Sequence, residues 1–218
     1  MKQMILDIAP APAPTLDGFV PGRNAELLVS LYALANGSNR EQFVYLWGEP
    51  GCGRSHLLQS VVAAARREGR NALWFNEAGE QAADDALVVV DDVHALDGGA
   101  QIALFNLHNR LRAGQGSLLA SGNAAPAQLS LRPDLQTRLA AGLVYQVHGL
   151  DDAEKAAALR GHAEARGFRL SQEVADYLLR HAERDMPSLL ALLDALDRYS
   201  LANRRAITVP LLRELLNG

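Results

Sequence analysis

The chain has 218 residues, 49% of them hydrophobic, and a formal charge of −4. That supports one core-bearing domain with a small appendage, and the negative balance argues against a surface that coats nucleic acid. The single cysteine, Cys52, excludes an internal disulfide framework and a cysteine-based metal cluster. No apolar run reaches membrane-spanning length and no signal peptide is visible, so a cytoplasmic protein without a membrane partner is expected.

In chain order, the first eight residues are a short apolar–polar segment. Alternating Ala and Pro over 9–14 then form an extended, semi-rigid spacer. The globular part begins at about residue 16. Strands are expected near 43–47, 72–76, 87–91, 117–121 and 143–147, and helices near 24–35, 55–68 and 99–113. Strands alternating with helices imply a parallel sheet of βαβ units, an α/β fold with a five-stranded sheet between helices. The connection over 77–86 is short and polar and holds at most a brief helix. After Gly149 the texture changes to four helical patterns, at 151–166, 171–184, 187–200 and 209–217, with a brief extended piece at 206–208. Ser171 is a helix N-cap with Glu173 in the first turn, and Pro187 stands at a helix start, where it is tolerated. The expected division is therefore 1–15 flexible peptide and spacer, 16–149 α/β domain, and 150–218 all-α subdomain.

Gly48-Glu49-Pro50-Gly51-Cys52-Gly53-Arg54-Ser55 reads as a phosphate-binding loop between an apolar strand and an amphipathic helix. Glycines let backbone N–H groups face a phosphate, and the helix start adds its partial positive charge. Ser55 is placed to touch Mg²⁺. Arg54 stands where the usual pattern has Lys. A planar guanidinium can hold phosphate, but it replaces a compact point charge. Nucleotide binding is thus the firmer expectation and efficient hydrolysis the weaker. Cys52 reads first as a small residue in a tight turn. The apolar run Leu87–Val90 ends in Asp91 and Asp92, where an α/β sheet presents carboxylates to a metal. Asp91 would organise Mg²⁺, and Asp92 would orient or deprotonate an attacking water. Of the histidines, His56 belongs to the loop helix, and the others show no ligand spacing.

A phosphate-loop sheet domain followed by a helical lid resembles the AAA+ superfamily. Finer features resemble its DnaA-related members: Leu16-Asp17-Gly18-Phe19-Val20-Pro21-Gly22-Arg23-Asn24, the loop followed by His56-Leu57, and Pro133-Asp134-Leu135-Gln136-Thr137-Arg138-Leu139. Arg54 in the loop and Leu193–Ser200 are similar to the Hda group of regulators. The resemblance spans residue 3 to the end. It implies that ADP or ATP, with Mg²⁺, is held by Val20, Gly48, Pro50, Gly51, Cys52, Gly53, Arg54, Ser55 and His56, with the metal on Ser55 and Asp91. Asn123 takes the first-sensor position after the fourth strand; an ordinary loop Asn is an equal reading. Pro187 occupies the second-sensor position and brings neither charge nor donor; nearby Arg184 is a candidate substitute.

The same resemblance implies that Arg138 is an arginine finger reaching into the ATP site of DnaA, with Arg132 near the same interface. It implies an activator of hydrolysis on DnaA rather than an efficient ATPase. The sequence ends at Gly218 after the lid pattern, so no direct sequence-specific DNA binding is expected. Gln3-Met4-Ile5-Leu6-Asp7-Ile8 resembles the hexapeptide that docks on the DNA polymerase III sliding clamp (the beta subunit). Gln3 would fill a polar subsite, and Met4, Leu6 and Ile8 apolar ones. A homodimer that hides Arg138 or this peptide stays open. Two rival readings are a stand-alone P-loop ATPase and a helicase-loader-like adaptor; the second would want a basic or aromatic tract.

Overall fold

The computed structural model describes residues 14–78, 82–182 and 185–217. Gln3, Met4, Leu6 and Ile8 of the expected clamp peptide, and Arg184, lie outside them. The chain divides into two compact units, with the boundary between Gly149 and Leu150. Among the described residues no helix is long and apolar enough to cross a membrane.

The first unit contains α1 (Ala25–Asn36), β1 (Phe43–Trp47), α2 (Arg54–Arg67), β2 (Ala72–Trp74), α3 (Phe75–Ala78), β3 (Leu87–Val90), α4 (Gly98–Ala113), β4 (Ser117–Gly122), α5 (Pro133–Ala140) and β5 (Leu143–Gln146). The strands form one five-stranded sheet in the order β2-β3-β4-β1-β5. Every pairing is parallel. Alternate residues of each central strand feed two cores. Val44, Leu46, Val89 and Leu119 pack with Leu31 and Leu34 of α1 and Leu57, Leu58 and Val61 of α2. Tyr45, Val88, Val90, Leu118 and Ala120 pack with Leu104, Leu107 and Leu111 of α4 and Leu135 and Leu139 of α5. A sheet covered on both faces needs apolar residues on both, which is why β3 is an unbroken apolar run and β4 carries one over Leu118–Ala120.

The strand order decides where the chemistry sits. In register, Trp47 at the end of β1 lies beside Gly122 at the end of β4, and Val90 of β3 lies beside Ala120. The segments leaving β1, β3 and β4 therefore emerge side by side at one sheet edge, where α/β folds bind ligands.

The second unit contains α6 (Asp152–Ala165), α7 (Gln172–His181), α8 (Met186–Asn203) and α9 (Val209–Asn217). Its helix starts are written in short polar side chains. Asp151 and Glu154 form a reciprocal capping box, with Glu154 N–H donating to Asp151 at 2.8 Å and Asp151 N–H donating to Glu154 at 2.9 Å. Ser171 accepts from Val174 N–H at 3.3 Å, and Asp185 accepts from Ser188 N–H at 2.9 Å. Leu159, Leu178, Leu193, Leu196, Leu211 and Leu212 form its core.

Several expected boundaries move. Phe75 and Asn76 begin α3 rather than extending β2, which is a three-residue strand paired only to β3. α7 stops at His181, where Ala182 turns extended, and α8 runs on to Asn203. Ala206–Thr208, expected as a brief extended piece, pairs with no strand, since this unit offers no strand edge among the described residues.

Candidate nucleotide-binding site

The loop leaves β1 at Gly48 and enters α2 through backbone that side chains resist. Gly51 and Gly53 have φ of +77° and +102°. A Cβ at Gly53 would stand 2.8 Å from Phe19 Cε2, whereas one at Gly51 would meet nothing within 4 Å. The loop is thus packed against the body at one glycine and open at the other. Cys52 N–H donates to Glu49 O at 3.2 Å, and the Cys52 side chain is buried in the core beneath. Burial pushes its thiol pKa up, so it anchors the turn as a small apolar group. Gly53 gives α2 no side-chain cap, which leaves the first-turn N–H groups for an anion. Ser55, in that turn, is exposed, as are Pro50 and Gly51. These features fit a phosphate group.

Arg54 does not project into solvent. Its Nη1 donates to Gly122 O, its Nη2 lies 3.6 Å from Asp92 Oδ1, and its side chain is 12% exposed. It ties the loop helix to the ends of β4 and β3. A guanidinium has five N–H donors, so this leaves capacity for a phosphate oxygen. Asp91 Oδ1 accepts from Ser121 Oγ and, at 3.1 Å, from Asp92 N–H. Asp92 is left-handed (φ 49°), an uncommon conformation for a residue other than glycine, and its half-exposed carboxylate lies 3.8 Å from His94 Nδ1. Asn123 follows β4 and is exposed. Arg54, Asp91 and Asp92 therefore converge with the end of β4. Among the described residues no group of three or more His, Cys, Asp or Glu could cage a metal. Mg²⁺ suits such a place, since it takes one or two protein oxygens with phosphates and water; Ser55 and Asp91 are the donors on hand.

The segment before α1 folds over the loop helix. His56 Nε2 lies 3.2 Å from Thr15 O, and its ring centroid is 5.8 Å from that of Phe19. Val20 is half-buried beside them in sequence. Asn24, 2% exposed, pairs with the backbone of His148 just past β5: its Nδ2 donates to His148 O and its Oδ1 accepts from His148 N–H, both at 2.8 Å. Phe19 and Asn24 entered the sequence reading only within the 16–24 segment that carries the resemblance, with no role of their own, and Gly122 had none. A polar residue directly before an apolar helical pattern is a local signal for a helix cap, not for the clamp that Asn24 forms.

Arg138 lies elsewhere. It sits on α5, with its guanidinium carbon 5.8 Å from the centroid of the Phe105 ring. It lines a hollow with Phe43 and Gly142, which stand where β1 and β5 begin. In a parallel sheet the strand starts and strand ends are opposite edges, so Arg138 and the glycine loop lie at opposite edges of the unit. Arg132, also expected near that interface, is held by Asp134 through Nε at 3.2 Å and Nη2 at 2.8 Å. Pro187 occupies the first turn of α8.

Comparison with known proteins agrees with this layout. Residues 152–216 match the family described as "Hda, lid domain". Domain III of the replication initiation protein DnaA from Thermotoga maritima superposes with a TM-score of 0.70 at 20% identity, over 94% of this chain and 96% of that one. AMPPCP-bound DnaA from Aquifex aeolicus gives a TM-score of 0.66 at 22% identity, over 88% of this chain and 70% of that one. The Thermotoga maritima RuvB Holliday junction branch migration motor gives 0.65 at 14% identity, over 94% and 71%. At such identities these likenesses concern the fold.

Proposed function

From the match of residues 152–216 to the Hda lid family and the fold shared with DnaA domain III, we propose that the chain is an Hda-like, DnaA-related AAA+ protein, a negative regulator of chromosomal replication initiation that stimulates hydrolysis of the ATP held by DnaA. The observation that carries this reading is the separation of Arg138 from the chain's own glycine loop, at the opposite sheet edge. An arginine so far from its own phosphate loop has no task there, but it suits the nucleotide of a neighbour. A finger of this kind stabilises charge that develops on the transferring phosphoryl group.

The chain's own site binds ADP or ATP with Mg²⁺ and is regulatory. The AMPPCP found in the Aquifex aeolicus DnaA structure supports a nucleotide there, as does the uncapped start of α2. Gly48, Pro50, Gly51, Gly53 and Ser55 would cradle phosphates. Arg54 would share its guanidinium between phosphate and Gly122, and Asp91 and Ser55 would hold the metal. Asp92 and Asn123 would orient water, with Val20 and His56 beside the nucleotide. Slow turnover by the chain itself is supported by Arg54, whose guanidinium is already committed to Gly122 and Asp92. Gln3, Met4, Leu6 and Ile8, carried on the Ala–Pro spacer, would dock on the sliding clamp and bring the protein to DnaA in the cytoplasm.

The test is phosphate release from ATP-loaded DnaA in the presence of this protein, ADP and clamp-loaded DNA. Acceleration by the wild type, lost with Arg138→Ala and with Gln3→Ala, is the expected result. No acceleration by the wild type overturns the reading. Acceleration that survives Arg138→Ala removes the finger.

A further inference from the structure

Arg138 does not stand alone at its edge. It lines a hollow of about 200 Å³ together with Arg40, Glu41, Phe43, His108 and Arg112. Three guanidiniums face one carboxylate here, on a chain whose net charge is −4. Glu41 is itself occupied, since its Oε1 accepts from Phe43 N–H at 3.2 Å. Nearby arginines have acidic partners: Arg132 is 2.8 Å from Asp134 and Arg110 is 3.5 Å from Asp84. Among the described residues, Arg40, Arg112 and Arg138 make no ion pair with a carboxylate.

A second feature lies against the same hollow. His108 is 1% exposed, its ring centroid lies 4.3 Å from that of Phe43, and its Nδ1 has no hydrogen-bond partner. A buried polar atom without a partner costs free energy and calls for an explanation. Burial, with the fields of Arg138 and Arg112, brings its pKa down to about 4. The ring is therefore neutral near pH 7 and offers one N–H donor.

We propose that this hollow is a binding site for a tetrahedral oxyanion of the phosphate class, held by the guanidiniums of Arg40, Arg112 and Arg138, with the buried ring of His108 beside it. Forked guanidiniums match phosphate oxygens, and the volume accommodates one such group. The anion is free inorganic phosphate, and when bound it holds Arg138 and lowers its availability to any neighbour. The site requires only this chain, so it stands or falls independently of action on DnaA.

The experiment is a titration of inorganic phosphate into the full chain with its glycine loop first saturated with ADP. The imidazole ¹⁵N resonances of His108 are followed, with chloride at matched ionic strength as control. The expected result is a saturable His108 shift with phosphate and none with chloride. Arg112→Ala, an exposed position that the fold does not need, should weaken it about tenfold, as loss of one charge-assisted contact does. Arg132→Ala, whose partner is Asp134, should leave it unchanged. No saturable shift with phosphate, or an equal response in wild type and Arg112→Ala, overturns the proposal.

Discussion

The side chain of Asn24 and the backbone of His148 close a ring of two hydrogen bonds, each 2.8 Å, across 124 residues of chain. The amide of Asn24 imitates a strand neighbour, giving donor and acceptor at the same spacing as a peptide group. It fastens the segment before α1 to the chain leaving β5, and so closes the first unit at its sheet-end edge. Asn24→Ala leaves a peptide N–H and C=O unpaired in a partly buried place. Urea denaturation should find a loss of about 2–3 kcal/mol. A loss below about 0.5 kcal/mol would mean that water replaces the amide without cost.

Arg54 separates two tasks that Lys would merge. Arg54→Met keeps the stem and removes the fork. Gly122 O then loses its donor, and a drop of about 1–2 kcal/mol in stability should accompany about tenfold weaker binding of a fluorescent ADP analogue. Arg54→Lys should restore the nucleotide affinity but not the stability, since a single ammonium cannot serve both Gly122 and Asp92 in the forked geometry. Full recovery of both by Lys would rule out the bridging role.

Gly122 is glycine because Tyr45 leaves no room for a Cβ; one would overlap the phenol oxygen that donates to Ala124 O at 2.8 Å. Gly122→Ala should cost about 3 kcal/mol by overpacking. In a Tyr45→Phe background the same change should cost at least about 1 kcal/mol less, because the clashing atom is gone. A double-mutant cycle by thermal denaturation gives the coupling directly. Additive losses would place the strain elsewhere.

His108 makes stability fall in mild acid. Its folded pKa of about 4 lies below the ordinary value of 6.5. Between those values the unfolded chain binds a proton that the folded chain refuses, so stability is complete above about pH 6.5 and falls as the pH is lowered toward 4. The full effect is about 3 kcal/mol. The groups facing the ring are Arg112, Arg138, Arg40 and Glu41. Denaturation midpoints of wild type and His108→Gln from pH 7 to 4 should converge as the pH drops, if Gln accepts the site at neutral pH with some loss. A constant gap would remove His108 as the source.

The legible parts of this fold were those with local causes. The glycine loop stands between an apolar run and an amphipathic helix, and β1 and α2 flank it as the pattern requires. The apolar stretch before Asp91 and Asp92 is a fully buried strand, β3. Ser171 marked a helix start because a short side chain reaching its own backbone is a matter of three residues. The rest depends on contacts between distant segments. Phe75 and Asn76 have strand-like neighbours in sequence, yet β2 has only β3 to pair with and stops at Trp74. The turn of Arg54 toward Gly122, the Asn24–His148 ring and the hollow around His108 each join residues that no window of sequence holds together. Arg54 was read for what it replaces, and its partners appeared only with the fold.

Placing the glycine loop and Arg138 at opposite edges of a parallel sheet makes this unit a polar object. It has a head and a tail. Two copies can join Arg138 to a glycine loop side by side and antiparallel about a twofold axis, or end to end in one direction, and only the end-to-end contact is heterologous. Such a contact runs in one direction and leaves a free head at one end and a free tail at the other. A row built this way grows or stops according to which end is covered. The direction of assembly is thus set by strand direction, before any side chain at the interface is chosen.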